Sequence, residues 1–276
     1  MHHYYGIRPW FEHCWGTTER SDIQITKIRA LVSEEQESEA VEEGWLALDE
    51  PAKVPGKKKL TEVFYQSRST RINLLKWKSQ YKKYELNGEP ISMMSILPSQ
   101  ANITLTGLHR VYREYIKRKG YKNMFDPLKH INARDSFLIY FQGEMNNIIG
   151  FTKMKSYNCE PPDDDIYDRL PKRLRKQLKL WPVGPVAAVE TYMHCNTVEG
   201  LSRMTMDMEC AHWSAKGAPY LYSGPGYEES SVYKSYVPGF EWWTGGQWST
   251  DVERYRKLCY RDSKMKTIED LGRENL

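Results

Sequence analysis

Hydrophobic positions in the second half of the chain fall into readable periods. Leu108, Val111, Tyr112, Tyr115 and Ile116 recur at helical spacing, which predicts an amphipathic helix over 105–119 that stops at Gly120. Ser136–Phe141 is a continuous β-favouring run, Gln142–Asn146 a turn, and Asn147–Met154 the return strand, so a hairpin is expected. Val186–Met193, small and β-branched, suits the centre of a sheet. A helix over about 198–216 follows, closed by Gly217. Then come a strand at 219–222, a turn at 223–227, a short helix near 229–236 and a strand at 238–244 that Gly245-Gly246 breaks. Helices at about 249–261 and 267–274 end the chain, the first with Ser249-Thr250-Asp251 as N-cap residues. Hairpin, strand, helix, strand, short helix, strand implies a mixed sheet with helices on its faces.

The first half is harder to read. Residues 61–65 suit a strand, residues 33–50 an exposed acidic helix or loop, and Pro51–Lys59 a linker, since Pro and Gly break both regular structures. No internal repeat is visible. The division expected is an extension over 1–60 and a main domain over 61–276. Tyr4, Tyr5, Trp10, Phe11 and Trp15 suggest that the extension docks on the main body.

Composition narrows the class. The chain has 276 residues, 40% of them hydrophobic and 28% charged, with 9 Trp and 19 Tyr, which argues against wholesale disorder. A mean hydropathy of −0.70 and the lack of a long apolar run argue against a membrane-spanning protein. The start lacks a secretory pattern, so a cytoplasmic protein with no membrane partner is expected. Cys14, Cys159, Cys195, Cys210 and Cys259 form no CxxC pair, and Asp163–Asp165 reads as a solvated turn, so no metal site is expected.

Charge is unevenly distributed. The net +4 conceals eight acids and no base in 33–50, leaving 28 acids against 40 bases, or +12, in the rest. A body so charged attracts polyanions. Three basic stretches supply it: Lys53 with Lys57–Lys59; Arg68, Arg71, Lys76, Lys78, Lys82 and Lys83; and Arg169 to Lys179. Arg68, Arg71, Lys172, Arg173, Arg175 and Lys176 are the candidate RNA contacts, and Tyr65, Trp77, Tyr81 and Tyr84 interleave the second stretch as stacking residues would. Solvated faces paired to acids explain the same charges.

Three segments carry a resemblance. Glu209–Tyr227 (Glu-Cys-Ala-His-Trp-Ser-Ala-Lys-Gly-Ala-Pro-Tyr-Leu-Tyr-Ser-Gly-Pro-Gly-Tyr), Val232–Glu241 with its Tyr-Lys and Pro-x-x-Glu pieces, and Phe64–Arg71 with Ser-Arg-Ser-x-Arg resemble the aminoacyl-tRNA–protein transferases. The match covers about half the chain, mainly 135–248. Two departures stand out. The family's N-terminal cysteine cluster is represented by Cys14 alone, and its Leu-Gly-Tyr strand end reads Ser223-Gly-Pro-Gly-Tyr227 here. The resemblance implies an α/β (α+β) fold with a mixed central sheet of acetyltransferase-like (GNAT) type. It also implies transfer of an aminoacyl group from tRNA to the α-amine of a protein or peptide, without a resident cofactor.

An α-amine, with an ordinary pKa of about 7.7–8.0, needs orientation and modest proton removal rather than an activated protein nucleophile. No Gly-x-Ser-x-Gly elbow is present. The candidate catalytic residues are Glu190, Lys234 and Tyr222, with Tyr220, Tyr227, Tyr233, Ser235 and Glu241 as substrate contacts. Lys234 would bind phosphate or stabilise developing negative charge, and Glu241 would orient it. Surface pairing for Glu190 and Lys234, and core packing for the tyrosines, are the alternatives. His212, beside Trp213, reads as a packed histidine. Acyl-CoA as donor is disfavoured, because Cys195–Ser202 holds one glycine where a pyrophosphate loop needs several. A catalytically silent member that binds RNA or protein through the basic segment 169–179 is the remaining reading.

Overall fold

In a computed structural model of the chain, the described residues are 5–13, 24–32, 37–47, 63–96, 105–119, 126, 128, 135–144, 147–159, 184–194, 200–227 and 229–264. The expected linker, the basic segment 169–179, the turn at 163–165 and the helix at 267–274 lie outside them. The predicted class holds: α+β, with helices on the faces of a mixed sheet. No helix among the described residues is long and apolar enough to cross a membrane.

A small antiparallel sheet, in the order β1-β2-β4-β3, is built from β1 (Tyr5–His13), β2 (Gln24–Leu31), β3 (Trp45–Ala47) and β4 (Val63–Gln66). The expected boundary at residue 60 falls between strands of this sheet, since β4 pairs with both β2 and β3. A short helix, α1 (Glu37–Glu42), precedes β3, and its Glu37 is buried, 4.0 Å from Lys155 Nζ. Part of the acidic stretch is therefore inside the protein.

The main sheet runs β13-β12-β5-β11-β10-β9-β8-β7-β6. Its strands are β5 (Ser69–Asn73), β6 (Glu85–Leu86), β7 (Glu89–Ile96), β8 (Asp135–Gln142), β9 (Ile148–Cys159), β10 (Gly184–His194), β11 (Tyr220–Pro225), β12 (Phe240–Trp243) and β13 (Trp248–Ser249). Every pair is antiparallel except β10 with β11. The expected hairpin is β8–β9, and the predicted helix at 105–119 is α2 (Leu105–Lys119).

Burial in β8 alternates between two cores, as the period of a strand requires. Leu138 and Tyr140 pack beneath α3 (Leu201–Ala215), whereas Phe137, Ile139 and Phe141 pack beneath α2 with Leu108 and Val111. Leu108 is fully buried, which stabilises the helix docking by about 1.5–3 kcal/mol. The chain stops α3 as the glycine predicts. Gly217 adopts φ +83, Ala218 N–H donates to Trp213 O and Gly217 N–H to Ser214 O, both at 3.0 Å, closing a two-bond C-terminal cap. A 3₁₀ helix (Glu229–Tyr236) and α4 (Val252–Lys264) complete the layer on the α3 face.

The main departure from the sequence reading is β5. It arrives from the N-terminal part of the chain and inserts between β11 and β12. It is completely buried yet reads Ser-Thr-Arg-Ile-Asn. Its polar side chains are matched across the sheet: Thr70 Oγ1 donates to Gly224 O at 2.8 Å, and Arg71 and Asn73 bond to Glu241. A strand of this composition gives no apolar alternation to read.

Candidate active site

The parallel strands β10 and β11 pair at two positions only, Ala187 with Leu221 and Ala188 with Tyr222. Beyond them β10 continues to His194 and β11 to Pro225. Each carries a bulge where pairing stops. Against β9, Val189 opposes Met154 and Thr191 opposes Lys153, so Glu190 is the extra residue. Against β5, three steps from Tyr222 to Pro225 match two from Arg71 to Ser69. A bulge bends its strand and increases local twist, and two at the same level on neighbouring strands end the ladder between them.

The free edge of β11 is capped by Lys234. At this bulge Gly224 O accepts from Thr70 Oγ1 of β5, while Ser223 O and Pro225 O are left for another donor. Both accept from Lys234 Nζ, at 2.5 and 2.8 Å. Burial lowers the Lys234 pKa to about 8, opposed by the negative ends of Cys259 and Glu209. Where the ladder stops, β11 therefore carries a buried ammonium.

Glu209 of α3, 3% exposed, lies against β8 and β9, the strands next to β10. Its Oε1 accepts from Tyr140 OH at 2.5 Å and Thr152 Oγ1 at 2.6 Å. Burial raises the Glu209 pKa to about 7, against the pull of those two hydrogen bonds and of Lys234. Half-buried aromatic side chains surround this carboxyl. Tyr192 stands edge-on to Tyr140 at 6.4 Å and against His194 at 5.4 Å, and Tyr115 of α2 lies 6.1 Å from His194. Tyr233 joins them: burial pushes its phenol well above its ordinary value, with Tyr192, Glu209 and Tyr115 adding to the shift. A carboxyl and an amine that both titrate near neutrality beside a break in a sheet form a candidate acid–base site.

The residues singled out by sequence divide across the sheet. Lys234 and Tyr233 are on the Glu209 side. Tyr220, Tyr222 and Glu241 belong to the opposite face, with Trp248 and the small sheet. There Asp135, Lys155, Ala188, Tyr222, Arg71 and Glu241 stand in one lateral row over six strands. Glu241 does not orient Lys234. It pairs with Arg71 at 2.7 Å and also accepts from Asn73 and Lys76, each at 3.3 Å.

Arg71, expected on an RNA surface, is 8% exposed and lies flat over Tyr220 and Trp248 at 3.9 and 4.0 Å. Arg68 is half-buried, its guanidinium 2.6 Å from Asp262. Both are internal ion pairs, so neither cation faces a phosphate backbone. Tyr227 OH accepts from Arg68 N–H at 2.9 Å and from Ser67 Oγ at 3.3 Å, tying the Gly-Pro-Gly turn to the Ser-Arg-Ser segment. Ser235 Oγ donates to Val232 O and accepts from Arg256 Nε, linking the 3₁₀ helix to α4. Glu190 is placed by its backbone at the bulge, while its side chain, like all of Lys172, Arg173, Arg175 and Lys176, lies outside the described part.

Sequence reasoning missed Glu209, Tyr140, Thr152 and Tyr192 as a group. One signal was available. Leu201, Thr205 and Glu209 share a helical face, and a lone carboxylate on an otherwise buried stripe demands partners.

No known protein family matches the sequence, nor does any curated protein. Among solved structures, the chain is similar to the C-terminal domain (DUF2156) of a protein described as a lysylphosphatidylglycerol synthetase from Agrobacterium fabrum, at 9% identity and a TM-score of 0.38, over 71% of this chain and 52% of that one. It is also similar to L-PGS from Bacillus licheniformis, at 12% identity and a TM-score of 0.39, over 82% of this chain and 63% of that one. The chain thus spans between half and two-thirds of the length of these structures. No family model and no curated protein supports the resemblance to the aminoacyl-tRNA–protein transferases drawn from the three sequence segments, and it is withdrawn. Likeness at this level carries no argument about chemistry, which rests on the site itself.

Proposed function

We propose that this chain is an acyltransferase that moves an aminoacyl group from the 3′ end of tRNA to a nucleophile bound where β10 and β11 part. The observation that carries the reading is Glu209, held at a pKa of about 7 against β8 and β9 and within the electrostatic reach of Lys234 on β11's carbonyls. An acceptor amine enters as the ammonium and gives a proton to the Glu209 carboxylate. The neutral nitrogen attacks the ester carbonyl. The C–N bond forms, the attacking nitrogen releases its surplus proton to solvent, the C–O bond to the ribose breaks, and the proton held by Glu209 goes to the departing ribose oxygen. Lys234 has three N–H donors and uses two on β11, which leaves one for the oxyanion. The net charge of +4 favours a polyanionic donor.

The test is a transfer assay with radiolabelled aminoacyl-tRNA and three acceptors: peptides of varied first residue, vesicles containing phosphatidylglycerol, and buffer alone. Acyl-CoA serves as the alternative donor. Transfer to one acceptor, reduced about 100-fold or more by Glu209→Gln, supports the reading. No transfer to any acceptor, or a Glu209→Gln variant at the wild-type rate, overturns it.

A further inference from the structure

Between β5 and β6 the chain crosses the outside of α3 as a strap, residues 74–84, with little regular structure. It contains four lysines and no acid. Irregular surface segments are ordinarily held loosely, but this one is pinned to a buried carboxylate. Asp207 of α3, 1% exposed, accepts from Trp77 Nε1 at 3.1 Å, Ser79 Oγ at 2.6 Å, Gln80 N–H at 3.4 Å and Tyr84 OH at 2.8 Å. Arg203 Nε adds a bond to Tyr81 OH at 3.0 Å. All these donors except Arg203 come from the strap itself, so the carboxylate serves chiefly to set its shape.

That shape presents cations. Lys76, Lys78, Lys82 and Lys83 are exposed, Lys76 and Lys83 at 62% and 80% of their side chains. Lys83 pairs weakly with exposed Glu85 at 3.8 Å, and Lys76 touches a carboxylate already held by Arg71. No ion pair to Lys78 or Lys82 is present among the described residues. Holding like charges together on an ordered segment costs energy unless a polyanion neutralises them.

We propose that the 74–84 strap is the docking surface for the RNA backbone of the donor, a refinement that rests on the function proposed above. The occupant follows from what stands between the lysines. The exposed positions are lysines, Gln80 and Ser79; the ammoniums and the Gln80 side-chain amide are donors of the kind phosphates accept, while Ser79 Oγ is engaged by Asp207. A lipid surface calls for exposed apolar anchors beside the charges, and the strap's rings are half-buried, tied to Asp207 and Arg203.

The experiment measures binding of unacylated tRNA to the full chain at graded salt, for wild type, Lys78→Glu/Lys82→Glu and the charge-keeping Lys78→Arg/Lys82→Arg, with sedimentation on phosphatidylglycerol vesicles alongside. The expected result is at least tenfold weaker tRNA binding on charge reversal, a log–log salt slope shallower by about 1.4–1.8, and affinity within about twofold for the arginine pair. Should the reversed protein misfold, Lys78→Gln/Lys82→Gln replaces it, with the same loss of slope expected. Unchanged tRNA affinity, or a loss confined to vesicle binding, overturns the proposal. If reversal weakens tRNA binding but no acceptor is ever acylated, the strap stands and the enzymatic reading falls. If transfer proceeds and reversal alters neither binding nor rate, the strap alone is wrong.

Discussion

Lys234 Nζ donates to the carbonyl oxygen of Ser223 at 2.5 Å, one residue beyond the last pairing of β11 with β10. A parallel ladder that stops after two pairs leaves main-chain acceptors that must be satisfied. Here one buried ammonium satisfies two of them. The arrangement places a cation that is costly to bury at the point where the sheet opens.

That cost has a pH signature. With the Lys234 pKa at about 8 in the fold and 10.5 ordinarily, the unfolded chain holds the proton between those values while the folded one has released it. Stability contributed at this site rises from pH 8 to pH 10.5. Urea denaturation across that range is expected to show the rise in wild type and not in Lys234→Met. The same variant loses transfer activity.

Glu209 behaves in the opposite sense. Its pKa of about 7 against an ordinary 4.5 means that the folded chain keeps a proton the unfolded one has lost, so stability falls as pH rises from 4.5 to 7. The full fall is on the order of 3 kcal/mol. Glu209→Gln is expected to remove most of it, giving a protein more stable than wild type at pH 8 and at least about 100-fold slower in transfer, as measured by paired denaturation and rate profiles.

Arg71 and Glu241 form a buried ion pair, and breaking such a pair from one side costs about 3–5 kcal/mol. Arg71→Ala is expected to lower the unfolding free energy by that amount while leaving the salt slope of tRNA binding unchanged. A shallower slope with normal stability would return Arg71 to the RNA surface.

Asp207→Ala leaves the Trp77, Ser79 and Tyr84 donors without their acceptor. The strap is expected to open locally, so trypsin cleavage after Lys78, Lys82 and Lys83 accelerates about tenfold or more, while the urea midpoint moves by about 1–3 kcal/mol of stability. Mass spectrometry of early fragments reads the outcome.

How far the sequence could be read depended on locality. α2 was legible to the residue because Leu108, Val111, Tyr112, Tyr115 and Ile116 repeat within one helix, and the end of α3 because Gly217 alone supplies the left-handed backbone its cap requires. Asn87-Gly88, both at positive φ in the β6–β7 turn, was an equally local signal and went unread.

Element order from β8 onward and the basic character of the strap are properties of the sequence itself, since period, stop residues and charge are written in consecutive positions. Tertiary structure decided the rest. It carried β5 between β11 and β12, turned Arg68 and Arg71 inward, put Tyr222 and Glu241 on the face opposite Glu209, and gave Lys234 main-chain partners. Those outcomes depend on pairings between residues about 150 positions apart, such as Arg71 with Tyr222, which burial energy selects and no local pattern records.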